Sequence, residues 1–279
     1  MVAPKIAAAV LAWVVASCSS CGHKEEKVGI VVGPPLTIDR DAGTASQAGP
    51  PTPFPDLDAE APHGSPVTAT FIDLKASGAP LSVRTCEQVV VTVVQGEANA
   101  DNERLGEGDY LVTQGEGTLT VKGSKGLALV AAVRTDPCTP RHPKEAPPPL
   151  THSIVRANAA PELTWGGGKM RARLDVESEL TGAYVGRISG VAPIAEHAHD
   201  SSWEIVCTIQ ARGTMTVDGQ PKPVGPRQVL MIPPGAKHAF TPEAGATLSA
   251  IQFYWPRGPE QRFRELDKLD KKERHSGKR

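Results

Sequence analysis

The chain has 279 residues, enough for about two domains of ordinary size. Its formal net charge of −1 gives no electrostatic basis for binding nucleic acid or an anionic membrane surface. Glycine and proline are frequent, at 27 and 26 residues, whereas aromatic residues make up only 4%. Because glycine and proline concentrate in turns and linkers, this composition favours small turn-rich β-domains joined by proline-rich segments over one continuous globule.

Residues 1–17 predict an export signal. Lys5 precedes an apolar run over residues 6–15 that is too short to span a bilayer as a helix and fits the hydrophobic region of a signal peptide. The sequence Val15-Ala-Ser-Cys18 resembles a bacterial lipoprotein signal, which implies cleavage before Cys18 and acylation of its thiol. An ordinary secretory signal with an incidental cysteine is the alternative. We therefore expect a lipid-anchored membrane protein of the bacterial cell envelope, on the periplasmic or outer-membrane face.

The composition of residues 18–150 indicates three consecutive parts: a tether, a first β-domain and a linker. Residues 18–64 are rich in proline, glycine and small polar residues, and they hold too few apolar side chains for a core, so a disordered tether is expected. Residues 65–136 contain short apolar and β-branched runs, such as Val89-Val-Val-Thr-Val-Val94, separated by turn residues. Residues 137–150 are proline-rich and predict a stiff linker.

The cysteines agree with export to an oxidising compartment. Cys86 and Cys138 flank the first β-domain and are expected to form a disulfide, with two unrelated free thiols as the alternative. Cys207 lies inside a strand-like apolar run, which predicts a small buried hydrophobic side chain.

Residues 151–258 predict a second β-domain, and residues 259–279 predict a charged tail. In the tail, Phe263, Leu266 and Leu269 recur at helical spacing among alternating charged residues. This pattern indicates a short surface helix followed by a basic end.

The second β-domain contains four candidate metal ligands. His197 and His199 are two residues apart, so both side chains point to the same face of a strand. Glu204 begins the next strand-like run, and a Pro-Pro-Gly turn precedes His238 and turns it back toward the others. Imidazole and carboxylate ligands suit one divalent Mn, Fe, Ni, Zn or Cu ion, and four protein ligands leave coordination positions open.

Two segments carry these ligands: Gly190…His197-Ala-His199…Glu204…Ala211 and Pro233-Pro-Gly-Ala-Lys-His238. They resemble the two motifs of the cupin superfamily. The resemblance implies a small β-barrel of the jelly-roll, or double-stranded β-helix, type in which the three histidines and the glutamate bind one divalent metal. The chain departs from the family at Ala211, Arg227 and Pro242, where glycine, glycine and asparagine are usual. None of these departures removes a ligand.

The two β-domains align as an internal repeat. Residues 105–114 align with residues 224–233, and residues 93–96 align with residues 208–211. The four ligand positions fall against Ser82, Arg84, Val89 and Leu119. We therefore expect an all-β protein with two cupin-like barrels, of which the first is degenerate and has no metal site. Two unrelated β-domains are the alternative.

The sequence leaves two functions open. The resemblance implies a metal-dependent enzyme acting on a small molecule, of the dioxygenase, decarboxylase or isomerase type, with unknown catalytic residues. The alternative is a non-enzymatic module that binds a small ligand or a metal at the cell envelope. A purely structural role is disfavoured by the intact ligand set. The expected partners are a small molecule and, through the lipid anchor, the membrane, but not nucleic acid; a homodimer is left open.

Overall fold

The computed structural model of the protein describes residues 65–135 and 146–276. The predicted signal peptide, the tether, the acylated Cys18 and the greater part of the linker lie outside these residues. Within the described ranges the chain forms nineteen strands and one helix. That helix does not have the length and apolar composition needed to cross a bilayer.

The N-terminal barrel contains strands β1 to β9. Their bounds are β1 Val67–Asp73, β2 Ala79–Val83, β3 Glu87–Gly96, β4 Ala98–Ala100, β5 Glu103–Leu105, β6 Tyr110–Gln114, β7 Gly117–Lys122, β8 Gly126–Arg134 and β9 Thr151–Val155. They form two antiparallel sheets, with strand orders β1-β8-β3-β6-β9 and β2-β7-β4-β5. The two sheets enclose an apolar core, as expected for a jelly roll.

The C-terminal barrel contains strands β10 to β19 and is followed by helix α1. Their bounds are β10 Glu162–Trp165, β11 Met170–Val176, β12 Tyr184–Gly190, β13 Ile194–His197, β14 Trp203–Gln210, β15 Gly213–Val217, β16 Gln220–Val224, β17 Val229–Ile232, β18 His238–Pro242, β19 Leu248–Trp255 and α1 Gln261–Ser276. The two sheets have strand orders β10-β11-β12-β19-β14-β17 and β13-β18-β15-β16.

The two barrels repeat the same topology. The order β1-β8-β3-β6 corresponds to β12-β19-β14-β17, and β2-β7-β4-β5 corresponds to β13-β18-β15-β16. The strand register also agrees with the sequence repeat, because Val90 lies opposite Val112 and the aligned Ile205 lies opposite Met231. The prediction of an all-β chain with two repeated barrels is therefore confirmed.

The boundary between the barrels differs from the prediction, which assigned residues from 151 onward to the second barrel. Strand β9 pairs with β6 of the N-terminal barrel, with His152 opposite Thr113. Leu150 and Ile154 pack against the core of that barrel. Without β9, the outer edge of β6 would expose unpaired backbone groups, so the pairing protects that edge. The N-terminal barrel therefore extends through Val155.

Strand β14 is buried on both faces, because one side lines its own barrel and the other contacts the N-terminal barrel. Val206 belongs to the interior core of the C-terminal barrel. Ile205 belongs instead to a cluster that includes Val90 and Tyr110 of the N-terminal barrel. This position between two apolar layers explains the nearly continuous apolar sequence of β14. The alternation also turns Glu204 toward the barrel interior.

Hydrogen bonds fix one barrel on the other. The Gln88 side chain donates through Nε2 to the Glu179 carbonyl at 2.9 Å and accepts through Oε1 from the Thr181 N–H at 2.7 Å. Trp255 Nε1 donates to the Arg134 carbonyl at 2.9 Å. Together with the shared apolar cluster, these bonds give the barrels a specific contact rather than a loose linkage.

The described cysteines agree with the sequence predictions. Cys86 is disulfide-bonded, and its predicted partner Cys138 lies outside the described residues, so that pairing stays a prediction. Cys207 is a free, buried cysteine in β14, and burial raises the pKa of its thiol well above the usual range. The expectation that Cys207 is a small buried hydrophobic side chain is confirmed.

Helix α1 packs against the C-terminal barrel more closely than a surface helix would. Phe263 is buried and stacks on Trp165 with ring centroids 5.4 Å apart. Asp267 and Asp270, also buried, accept hydrogen bonds from the backbone N–H groups of Thr164 and Gly167 at 3.1 and 2.8 Å. These contacts anchor the helix to the β10–β11 hairpin. The predicted helix is therefore present, but its buried face includes two aspartates that its apolar periodicity did not indicate.

Candidate metal centre

The four predicted ligands come together inside the C-terminal barrel. His197 ends β13 and lies directly opposite His238, the first residue of β18. Glu204 projects inward from β14, and His199 follows the end of β13. One ligand atom from each of the four residues lies within 4.8 Å of every other. The predicted convergence is thus present, although His199 lies in the loop after β13 rather than in the strand itself.

A hydrogen-bonded core holds the cluster together. Glu204 Oε2 lies 3.0 Å from His199 Nε2 and 2.7 Å from His238 Nε2. The rings of His197 and His238 approach to 4.1 Å between centroids. Glu204 and His238 are 4% and 3% exposed, so these contacts are nearly excluded from water. A carboxylate this deeply buried needs a nearby positive charge.

Backbone carbonyls orient two of the histidines. His197 Nδ1–H donates to the Ala195 carbonyl and His238 Nδ1–H donates to the Ala236 carbonyl, both at 2.9 Å. Each bond places a proton on Nδ1 and leaves Nε2 facing the cluster. Such a partner on the outer nitrogen is the arrangement that fixes the tautomer and ring direction of a metal-binding histidine.

Two residues of β19, Gln252 and Tyr254, complete the site and were not identified from the sequence. Gln252 Nε2 donates to Glu204 Oε1 and to the Tyr254 hydroxyl, the latter at 2.9 Å. Gln252 Oε1 is buried and has no hydrogen-bond partner among the described residues. The carboxylate fixes this amide orientation, since the opposite one would place two oxygens against each other. A glutamine inside an otherwise apolar strand was the available signal.

The protonation of the cluster is compatible with metal binding. Burial alone would raise the pKa of Glu204, but hydrogen bonds from His199 and His238 and their charges hold it well below its usual range. Burial alone would lower the pKa of His238, but its hydrogen bond to Glu204 and the carboxylate charge raise it. The pKa of His197 is lowered by burial and by the charge of His238. Both ring nitrogens of His238 lie against acceptors, so the protonated ring can pair with the carboxylate, and a divalent metal would displace that proton.

The cluster lies in the wall of a cavity of about 260 Å³. Most of the lining is apolar, including Ile188, Val206, Leu230 and Phe240. An apolar cavity with a few convergent polar groups has the composition of a small-molecule site. Three imidazoles and one carboxylate also form a donor set suited to Mn, Fe, Ni, Zn or Cu. The residues present therefore fit one divalent metal at the edge of a ligand cavity.

The N-terminal barrel has apolar residues at the corresponding places. Leu81 lies opposite Leu119 in the β2–β7 pair, as His197 lies opposite His238 in β13–β18. Leu81 and Leu119 belong to one buried cluster with Val89, which aligns with Glu204. The counterpart of His197 is therefore Leu81 rather than the predicted Ser82, because strand register, which the alignment did not contain, decides the pairing. Among the described residues, only the C-terminal barrel assembles this ligand set.

The described residues form a mostly β structure with two barrels, and one barrel holds three histidines and a glutamate that are suited to bind a divalent metal. Residues 188–251, which span β12 to β19, match the family described as "Cupin domain". The C-terminal barrel therefore carries a cupin domain, and all four candidate ligands lie within the matched residues. This match agrees with the resemblance that the two motifs predicted for this barrel.

Solved structures share the double-barrel fold at low sequence identity. A protein from Pseudomonas aeruginosa assigned as glyoxylate-induced aligns with a TM-score of 0.52 and 10% identity, over 71% of this chain and 77% of its own. Protein Ylba from E. coli aligns with a TM-score of 0.50 and 15% identity, over 70% and 79%. Oxalate decarboxylase from Bacillus subtilis aligns with a TM-score of 0.52 and 13% identity, over 70% of each chain. A comparison with curated proteins found no match.

Proposed function

We propose that this protein is a metal-dependent enzyme that acts on a small molecule, by dioxygenase, decarboxylase or isomerase chemistry. One observation carries the proposal: the four ligand atoms lie within 4.8 Å of one another in the wall of a largely apolar cavity. A metal held by His197, His199, Glu204 and His238 would therefore face a space for substrate. When bound, such a metal supplies Lewis-acid or redox chemistry in a largely apolar site.

The residues around the cluster have distinct roles in this proposal. Gln252 orients Glu204 through its Nε2–H bond and presents its unpartnered Oε1 as an acceptor for a donor group of the ligand. Burial, and next the charge of Glu204, raise the pKa of the Tyr254 hydroxyl well above its usual range. Tyr254 therefore stays protonated at neutral pH. Since it accepts the hydrogen bond from Gln252, its own proton is available to a bound molecule.

The metal is left open among Mn, Fe, Ni, Zn and Cu, and Mn²⁺ is the first to test. The oxalate decarboxylase of Bacillus subtilis that shares this fold is described as having Mn(II) centres. Its 13% identity to this chain supports the fold alone, so the choice of Mn²⁺ rests on the shared ligand chemistry as well.

The direct test is turnover by the full chain reconstituted in turn with each metal. Oxygen consumption would report a dioxygenase, carbon dioxide release a decarboxylase, and nuclear magnetic resonance an isomerase. We expect one readout to respond to a small molecule, and the activity to disappear in His238→Ala. In His152→Ala, which changes a half-buried histidine of the N-terminal barrel, activity should persist. Activity that survives in His238→Ala would refute the assignment.

The second candidate is a non-enzymatic binding module, and the apolar N-terminal barrel favours it. Leu81, Val89 and Leu119 fill the place where the second barrel has its ligands, so half of the described structure has no comparable chemistry. Saturable ligand binding by the metal-loaded protein, without turnover in any of the three assays, would support this alternative over the enzyme.

We also propose that the protein is exported and anchored to the bacterial cell envelope through acylated Cys18. The support is the lipoprotein-like signal ending at Cys18 together with the disulfide-bonded state of Cys86, which is typical of exported proteins. Anchoring would leave both barrels outside the cytoplasm, tethered to the membrane that carries the lipid. Fractionation of cells expressing Cys18→Ala tests this proposal.

A further inference from the structure

Helix α1 forms part of the wall of the metal-facing cavity. The residues that it and the preceding turn contribute to the lining are Pro259, Arg262, Phe263 and Leu266. The stacking of Phe263 on Trp165 and the bonds of Asp267 and Asp270 to the β10–β11 hairpin hold the helix in place. These contacts hold this part of the wall against the barrel.

The cavity lining has one charged side chain outside the ligand cluster, and that side chain is Arg262. Within residues 65–135 and 146–276 its guanidinium has neither an ion pair nor a side-chain hydrogen bond. Other arginines of α1 are paired: Arg264 with Glu177, and Arg274 with Asp270 at 2.7 Å. Arg262 is exposed and lines the cavity, so it lies where the cavity meets solvent.

We propose that Arg262 is a specificity-determining residue of this site, and that the site takes a small organic carboxylate with an apolar body. The inference rests on the proposed function, because it assigns the ligand of the same cavity. A planar guanidinium donates two parallel hydrogen bonds to a carboxylate, a geometry that favours this group over a neutral one. The apolar walls formed by residues such as Leu230 and Phe240 would receive the remainder of the molecule.

The charge balance favours a carboxylate over a phosphate ester. A phosphate monoester carries a charge of roughly −1.5 to −2 at pH 7, whereas a single carboxylate carries one negative charge. Outside the ligand cluster, Arg262 offers the one compensating charge of the lining, which balances a carboxylate and leaves the second charge of a phosphate without a charged partner in the wall. The cavity of about 260 Å³ also restricts the ligand to a small molecule.

Benzoate and benzamide test the inference, because they share a shape and differ in charge. Binding of each to the full chain is measured by calorimetry, with the protein loaded with Zn²⁺ and stripped of metal. Arg262→Gln removes the charge, and Lys268→Gln is the matched control because Lys268 is exposed on α1 and does not line the cavity. Equal melting temperatures of the variants and wild type establish that folding is retained, and Arg262→Lys provides a second, charge-retaining variant.

In the wild type and Lys268→Gln we expect benzoate to bind about tenfold more tightly than benzamide or better, the scale of charge-assisted hydrogen bonds. Arg262→Gln should abolish this preference, and Arg262→Lys should retain part of it. A preference that survives intact in Arg262→Gln, or is absent from the wild type, would overturn the inference. Metal content is measured separately. If the chain binds no metal but its preference for benzoate depends on Arg262, only the proposed function is refuted. If the chain binds stoichiometric metal but shows no preference for benzoate, only this inference is refuted.

Discussion

Replacing Glu204 with glutamine keeps the shape of the side chain and removes its charge. In the metal-free protein the carboxylate accepts hydrogen bonds from His199, His238 and Gln252 while only 4% exposed. At pH 8 or above, a His238 that has lost its carboxylate partner can release its proton, so no unpaired charge is left behind. We therefore expect the metal-free variant to be about as stable as the metal-free wild type. The metal-bound proteins should differ strongly, because a charged ligand has been removed.

The size of the difference follows from ligand linkage. At a free metal concentration of about 100 times Kd, binding stabilises the folded wild type by ~2.7 kcal/mol. For a protein of this size ~1 kcal/mol shifts Tm by ~2–4 °C, so the wild type should gain roughly 5–11 °C. If Glu204→Gln weakens binding about 100-fold, the same concentration equals its Kd, and the gain falls to ~0.4 kcal/mol, or ~1–2 °C.

Differential scanning calorimetry of both proteins, stripped and metal-loaded at pH 8, measures these shifts. Agreement requires a large metal-induced rise in the wild type, a small one in Glu204→Gln, and closely similar Tm values for the two stripped proteins. If the stripped and loaded wild type melt at the same temperature, metal does not stabilise this fold and Glu204 is not a buried ligand. That result would refute the reasoning.

Three further predictions concern the Gln252 contact, the pH dependence of stability and the Cys18 anchor. Gln252→Leu removes the donor that orients Glu204 and should weaken metal binding by about 10–100-fold, measured by competition with a chelator; unchanged affinity would show that this contact has no role. In the metal-free protein, pairing with Glu204 raises the pKa of His238. This pairing therefore stabilises the fold fully at pH values below the pKa of an unfolded histidine. The stabilisation is lost as the pH rises through the raised pKa of folded His238. Urea unfolding from pH 5.5 to 9 should therefore show a wild-type advantage over Glu204→Gln that shrinks with pH; a constant difference would contradict the pairing. Finally, Cys18→Ala should move the mature protein to the soluble fraction or block its processing, whereas unchanged membrane association would contradict lipid anchoring.

Local spacing, together with the resemblance to the two cupin motifs, was sufficient to predict that the four candidate ligands meet in the C-terminal barrel. The separation of His197 and His199, the strand carrying Glu204 and the turn before His238 each describe local geometry, and together they identify one centre. The internal repeat likewise predicted two barrels, because equivalent turns and strands recur in the same order.

Contacts between residues that are distant in the sequence could not be predicted from local periodicity and spacing. Nothing local to β9 shows that it pairs with β6, since that choice depends on which sheet edge is open. The apolar spacing of α1 predicted a helix, but the contacts of Asp267 and Asp270 depend on the distant β10–β11 hairpin. Gln252 shares a face with Tyr254, yet its bond to Glu204 follows from pairing between β14 and β19 that a single sequence does not specify.

The central claim is that one divalent metal binds in the C-terminal barrel. Elemental analysis of the full chain after reconstitution tests it most directly, with wild type, the His197→Ala/His199→Ala double variant and His152→Ala measured side by side. We expect about one metal ion per chain in wild type and His152→Ala, and almost none in the double variant, because His197→Ala and His199→Ala each remove an imidazole of the cluster. Stoichiometric metal in the double variant, or none in the wild type, would contradict it.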